Sequence, residues 1–273
     1  MLRGLLTRSS GLDVLAKEVS RQKAFTEFVA WLSTSSKTTN WVFLGPPGVG
    51  KGTYASRAAS AFKLAHISTG DLIRAEVKTG SDIGKQMDAI ISKGNLLPDD
   101  MMMKVLQQRL AQGQASGEAG VILDGFPRTQ HQAEKLVEIA DLQLVLNMSL
   151  REDVLVEKIL GRRMCGHCGK NYNIADIYLP AEGSKPEIVM PPLNPPPDCV
   201  QHMEKRADDT EEIIMQRLKI YRDQAAPVEN FFREKGLLVD FEITSGIPET
   251  LPGLLKTLEP FVATNDSPEM ATA

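Results

Sequence analysis

A chain of 273 residues, 42% hydrophobic and 24% charged, is long enough for one sizeable core plus a small appended module. Its formal net charge of −4 argues against a dedicated nucleic-acid binder, and no apolar run approaches the ~20 residues that cross a bilayer. Three cysteines are too few for a disulfide framework and suit a reducing compartment.

Residues 1–39 stand apart in composition. Arg3, Arg8, Lys17, Arg21, Lys23 and Lys37 face only Asp13, Glu18 and Glu27, and serines and threonines cluster from Ser33 to Thr39. Leu12, Leu15, Ala16 and Val19 fall on one helical face, and no long apolar core marks a secretory signal. The expectation is an organelle transit peptide, for a mitochondrion or for a plastid stroma. A native N-terminal helix is the competing reading.

From Trp41 onward, short apolar runs alternate with amphipathic stretches of helical length. The runs are Trp41–Leu44, Leu64–Ile67, Val121–Asp124, Leu142–Met148 and Leu237–Phe241. Continuous apolar strands separated by helices predict a doubly wound parallel sheet of five strands, covered on both faces. The tail after Thr264 (265–273) is expected to be disordered.

The first run leads into "GPPGVGKGTY", Gly45 to Tyr54. The spacing is that of a phosphate-binding loop, G-x-x-x-x-G-K-[ST], except that Gly52 follows the lysine and the hydroxyl arrives late, at Thr53. A strand precedes it and helix-forming sequence follows, as such a loop requires. Glycines at 45, 48, 50 and 52 let successive backbone N–H groups turn toward one anion, and the helix adds its N-terminal dipole. Lys51 then reaches the β- and γ-phosphates.

Two stretches break the rhythm. Thr69 to Asp99 is polar and helix-rich, between the second and third strands. Cys165 to Met203 holds all three cysteines and, between Pro180 and Pro197, seven of the sixteen prolines. Such sequence continues neither a helix nor a central strand, so it reads as a loop-built excursion from the core.

The late hydroxyl, "STGDLIR" from Ser68, "DGFPRTQHQ" from Asp124, "GRR" from Gly161 and "RADDTEEIIMQRL" from Arg206 occur in one order. Together they resemble the adenylate kinases among the nucleoside monophosphate kinases, from Trp41 to about Pro260. The loop and the enlarged lid look most like the organellar members of plants and algae. The resemblance implies a core of 40–67, 98–160 and 210–264, a helical AMP-binding insertion at 68–97 and a lid at 161–209. It implies reversible phosphoryl transfer from MgATP to AMP by a monomer with ATP, AMP and ADP as ligands, without a covalent intermediate, nucleic acid or membrane.

Bringing two anionic chains together requires many fixed cations and exclusion of water. Arg74, Arg128, Arg162, Arg206 and Arg217 each flank a motif or junction, and the guanidinium fork pairs phosphate oxygens bidentately. Asp124 ends an apolar strand, where a carboxylate reaches the nucleotide's Mg²⁺. By resemblance, Gly48, Val49, Gly50, Lys51, Gly52 and Thr53 hold the donor phosphates. Arg162, Asn171 and Tyr172 contact ATP, and the Ile247 carbonyl lies near its adenine. Thr69, Arg74, the backbone of Asn95, Leu96 and Leu97, and Gly125, Phe126, Pro127, Arg128 and Gln132 hold AMP. Gln132 would read the adenine edge with its amide, while Arg206 and Arg217 clamp phosphates. One departure is Lys158, where the family carries an arginine stacked on the donor base.

Cys165-x2-Cys168 and Cys199-x2-His202 could close a tetrahedral zinc site in the lid. A metal-free lid knitted by hydrogen bonds and a Cys165–Cys168 disulfide remain open beside it. His66, on a short strand, reads as a core residue rather than a catalytic one. The rival functions are a UMP/CMP kinase and a nucleotide-binding regulator without catalysis. The latter would show damage at Lys51, Asp124, Arg128 or Arg162, and none is present.

Overall fold

The computed structural model describes residues 39–262 apart from Ser184. The basic N-terminal segment, but for Thr39, and the tail at 265–273 lie outside the described residues. The five apolar runs are the five strands of one parallel sheet: β1 (Thr39–Leu44), β2 (Ala65–Ser68), β3 (Gly120–Asp124), β4 (Leu144–Ser149) and β10 (Leu238–Glu242). Their order is β10-β4-β1-β3-β2, so β1 lies at the centre. Thr39, assigned to the N-terminal segment from sequence, is instead the first residue of β1, buried and opposite Gly120.

Side chains alternate across β1 and divide the core into two layers. Trp41 and Phe43 face Tyr54, Ala55 and Ala58 of α1 (Lys51–Phe62), with Leu155 of α6 (Glu152–Leu160) and Leu254 of α9 (Ile247–Leu258). Val42 and Leu44 face the other layer: Ile73 of α2 (Thr69–Lys78), Met87 of α3 (Asp82–Ile91), Leu106 of α4 (Asp99–Ala115) and Leu136 of α5 (Gln130–Ile139). Phe232, in the long α8 (Glu211–Glu234), joins that second layer. Burying each such side chain contributes about 1.5–3 kcal/mol. Met102 packs inward from the first turns of α4, between two half-buried neighbours, as its methionine run suggests.

Helices α2 and α3 form the insertion after β2. The second excursion, between α6 and α8, is not the irregular loop its prolines suggest. It contains a three-stranded sheet, β6 (Asn171–Asn173), β5 (Arg162–Cys165) and β9 (Met203–Glu204), and a separate antiparallel pair, β7 (Ile177–Leu179) and β8 (Ile188–Met190). A single helical turn, α7 (Pro197–Val200), follows. Prolines stop these strands without preventing them, because each is two to four residues long and pairs only locally.

Candidate active site

The C-terminal ends of β1, β2 and β3 line one cleft of about 420 Å³. Pro46 to Gly50 form its floor and lead into α1, whose first turn holds no acidic side chain. Gly48 and Gly50 have φ of 88° and 108°, the left-handed region that glycine tolerates. A Cβ on Gly48 would meet Leu155 O at 2.8 Å, so the turn packs directly on α6. The odd glycine after the lysine has its own reason. A Cβ on Gly52 would stand 3.1 Å from Asp124 Oδ2, closer than a side chain sits comfortably. The residue that usually supplies the hydroxyl is a glycine because β3 brings a carboxylate there.

Lys51 Nζ donates to Gly45 O at 2.7 Å and to Pro46 O at 2.9 Å, bridging the loop from within. Burial pulls its pKa down to about 8, with Asp124 opposing the shift and Arg128 and Arg162 reinforcing it. Lys158 Nζ lies 3.4 Å from Val49 O, and burial alone lowers it also to about 8. An unfolded lysine titrates near 10.5, so between pH 8 and 10.5 the unfolded chain binds more protons than the folded one. The empty protein therefore gains stability as pH rises through that window, and carries the full penalty below pH 8. Nucleotide phosphate stabilises the charged form and reverses the depression. We expect proton uptake on ATP binding near pH 8, read by calorimetry in buffers of different ionisation enthalpy, with affinity falling above that pH.

The five arginines converge on the same cleft, most of them restrained by carboxylates. Arg162 forms a bidentate pair with Asp209, which is fully buried, and Arg217 Nη2 lies 2.6 Å from Asp208. Arg74 pairs with Asp71 one turn earlier on α2. Arg206 donates to Asn171 Oδ1 at 2.8 Å; burial and the neighbouring Arg162 and Arg74 pull its pKa down to about 10. Arg128 differs from the rest: its Nε donates to Gly125 O at 2.7 Å, and among the described residues it forms no ion pair. Desolvation in the cleft, then Arg217, hold its pKa below the ordinary value. Asp208 and Asp209 were not singled out from sequence; the doubled acid two residues after Arg206 was the available signal.

Asp124, 7% exposed, closes β3 beside Gly52, and His66 Nε2 stands 3.5 Å from its Oδ2. His66 is thus only half-buried and faces the site rather than the core. The expected acceptor residues are present but engaged. The Thr69 hydroxyl lies 3.1 Å from Asp124 O and 3.0 Å from Gly125 O, fixing the turn after β3. Gln132 accepts from the Arg128 N–H at 2.8 Å and donates to Asp99 Oδ1 at 2.6 Å, so both ends of its amide are taken. Arg74, Asn95, Leu96, Gly125, Pro127 and Arg128 line the cleft on this side; Leu97 and Phe126 are buried beneath it, and the Phe126–Pro127 peptide is cis. Ile247, which opens α9, lines the same cleft, as do Asn171 and Tyr172. The Tyr172 hydroxyl is turned to Cys199 Sγ, 3.9 Å away.

The sulfurs of Cys165, Cys168 and Cys199 lie within 4.8 Å of one another, all as free thiols. Cys168 Sγ lies 3.6 Å from Cys199 Sγ, whereas the disulfide weighed from sequence joined Cys165 and Cys168. A hydrogen bond from the backbone at Lys170 holds Cys168 low, at about 7. His202, expected as fourth ligand, is not gathered with them. Its ring tilts against His167 at 5.6 Å, and its carbonyl, not its imidazole, reaches the knuckle by accepting from Gly166 N–H at 2.8 Å.

A phosphate loop on a doubly wound parallel sheet, faced by converging arginines and a strand-end carboxylate, defines a P-loop nucleotide phosphotransferase. Residues 43–237 match the family model of adenylate kinase. The chain is 51% identical over 223 residues to an adenylate kinase of Solanum tuberosum, covering 82% of this chain and 77% of that one. It is 46% identical over 227 residues to chloroplastic adenylate kinase 1 of Arabidopsis thaliana, covering 83% and 80%. It is 36% identical over 212 residues to a GTP:AMP phosphotransferase of Plasmodium falciparum, covering 76% and 90%. The chain belongs to the adenylate kinase family, and the α/β P-loop fold expected from sequence is the one observed. Its reaction is reversible phosphoryl transfer between ATP and AMP; neither the UMP/CMP kinase nor the silent regulator is favoured.

Proposed function

We propose that the loop from Gly48 to Thr53 holds the donor phosphates and that Arg128 and Arg74 hold the phosphate of AMP, so that transfer runs in line across the cleft. The observation that supports this is the convergence of Lys51 and all five arginines on one cavity between the two insertions. No side chain need act as a nucleophile, because the AMP phosphate attacks directly. Lys51 exchanges its two carbonyl partners for phosphate oxygens. Arg162 and Arg217, held by Asp209 and Asp208 in the empty cleft, turn to the transferred group when nucleotides arrive. Gln132 meets the adenine only by releasing Asp99. Closure of the lid and of α2–α3 excludes water from the transfer.

The donor set at Asp124 fits Mg²⁺: a carboxylate at the strand end, with room kept open by Gly52, and the Thr53 hydroxyl at the third position of α1. Held there with ATP, the ion would supply positive charge against the phosphates during transfer, with Asp124 and the Thr53 hydroxyl holding it.

The cysteine cluster fits structural zinc. Zinc–sulfur bonds of about 2.3 Å in a tetrahedron place sulfurs about 3.8 Å apart, close to the 3.6 Å between Cys168 and Cys199. The Cys168 N–H, 3.5 Å from Cys165 Sγ, supports a thiolate there. Cys199→Ala is expected to empty the lid of zinc, measured by elemental analysis, and to lower Tm. Zinc-free wild-type protein with an unchanged Tm would leave the hydrogen-bonded lid instead.

The chloroplastic relatives favour the plastid over the mitochondrion for the basic segment ahead of Thr39; a fluorescent fusion of that segment tests it. For the activity, protein beginning at Thr39 is given MgATP with AMP, UMP, CMP or GMP. ADP formation with AMP alone is expected, and turnover with a pyrimidine acceptor would overturn the Gln132 assignment.

A further inference from the structure

Asp99, half-buried at the start of α4, holds two groups at the start of α5 at once. Its Oδ1 accepts from Gln132 Nε2 at 2.6 Å, and its Oδ2 accepts from the Thr129 hydroxyl at 3.3 Å. The Thr129 oxygen in turn accepts from the Gln132 N–H at 3.2 Å, as the N-cap of α5. Gln132 is 3% exposed and borders a small hollow of about 20 Å³ with Ile73, Leu97 and Met102. Met102 lies three residues after Asp99 on α4, so the two occupy neighbouring positions on one helix face.

The hydrogen bonds on the Gln132 amide run one way only. An ionised carboxylate accepts and never donates, so Asp99 takes the nitrogen end. The Arg128 N–H donates and never accepts, so it takes the oxygen end, at 2.8 Å. The amide therefore has a fixed sense, nitrogen toward Asp99 and oxygen toward Arg128. Turned over, it would set Oε1 against the carboxylate and its own N–H groups against the Arg128 N–H. Both contacts would repel, at a side chain too buried for water to relieve them. The sense matters because purines divide by it. A 6-aminopurine offers a donor at N6 and an acceptor at N1, whereas a 6-oxopurine offers an acceptor at O6 and a donor at N1.

We propose that Asp99 is the positioning residue that makes the acceptor site select a 6-aminopurine over a 6-oxopurine, acting through the Gln132 amide. When the adenine displaces Asp99 from Nε2, the carboxylate stays on the nitrogen side of the amide and keeps it from turning over. Nε2 then donates to N1, and Oε1 accepts from the 6-amino group while it still faces the Arg128 N–H. A 6-oxopurine meets donor with donor and acceptor with acceptor, the mismatch that discriminates most strongly between ligands of one shape. The proposal rests on the reading of Gln132 given under the proposed function and adds what gives that residue its direction.

The test gives the whole chain MgATP with AMP or with inosine monophosphate, a 6-oxopurine nucleotide that lacks the 2-amino group of GMP. Asp99→Asn keeps the shape, but its amide turns either to accept or to donate, so Gln132 is free to adopt both senses. The ratio of kcat/KM for AMP to that for inosine monophosphate is expected to fall about tenfold, the net contribution of about one hydrogen bond, with the KM for MgATP within about twofold of wild type. A purely structural role would lower both acceptors in parallel, and that result overturns the proposal. An unchanged ratio in a folded variant overturns it as well. A second measurement needs no variant: wild-type binding of AMP, purine riboside monophosphate and inosine monophosphate. The unsubstituted purine forfeits one hydrogen bond, whereas the oxopurine adds two mismatches, so affinity falls in that order. Tighter binding of inosine monophosphate than of the unsubstituted purine overturns the proposal, even if Asp99→Asn does not fold. The Gln132 reading has a separate control: if Gln132→Leu keeps the wild-type preference for AMP, that residue does not read the base and its assignment fails, whatever Asp99 does.

Discussion

Arg128→Ala is expected to lower kcat by about 10³- to 10⁵-fold, the range a single well-placed arginine supplies in phosphoryl transfer, with Tm little changed. Its side chain is solvent-accessible and forms no ion pair among the described residues, so removing it leaves no buried carboxylate uncompensated. Arg162 lacks that advantage, because its loss would strand the fully buried Asp209 and confuse rate with stability. Arg128 is instead held for use: Gly125 O orients its Nε, and Gln132 anchors its backbone N–H. Desolvation in the cleft, then the guanidiniums of Arg217 and Arg74, hold its pKa below the ordinary value, an effect that an arriving phosphate opposes. Arg128→Lys, which keeps the charge and loses the fork, should fall between wild type and alanine. Steady-state kinetics with both nucleotides varied checks this, and a change confined to KM would show that the residue only binds.

The second large effect comes from making the loop look more ordinary. Gly52→Thr restores the standard G-K-T order, yet it is expected to reduce kcat/KM by about 10²-fold, because a displacement of about 1 Å at a reacting centre costs that much. The new Cβ would stand 3.1 Å from Asp124 Oδ2, and a β-branched side chain, stiff at χ1, adds two further heavy atoms on that Cβ. The carboxylate must move, and with it the place prepared for Mg²⁺. Folding should survive, since Gly52 lies in the first turn of α1 and its φ is not in the left-handed region. An apparent Mg²⁺ requirement shifted to higher concentration would identify the cause. Full activity would show that Asp124 does not hold the ion.

How much of this was legible beforehand depended on where each signal resides. The sheet was legible because a doubly covered parallel strand is apolar along its length, as in Trp41–Leu44. Its first residues were missed for the converse reason: Thr39 and Asn40 are polar and buried, so β1 begins where composition suggests a linker. The β7–β8 hairpin was hidden by size. Its alternation covers three residues on each strand, too few to count as a period, with prolines on either side. The cleft cations were legible through local motifs, because each arginine adjoins a string with its own spacing. What holds them was not, since Asp209 meets Arg162 across 47 positions and Gln132 meets Asp99 across 33. The fourth metal ligand failed for a similar reason: C-x2-H spacing fixes how far His202 is from Cys199 along the chain, but not which way the ring turns.

The position of Thr39 has a mechanical consequence. It begins the central strand, hydrogen-bonded along both edges to β3 and β4, at the end of the sheet opposite the cleft. A pull applied at Thr39 along the strand would draw β1 lengthwise between two parallel neighbours. The bonds on both edges would then be loaded together in shear rather than opened one at a time. The sheet would therefore resist traction on the start of β1 more strongly than peeling of an edge strand such as β2.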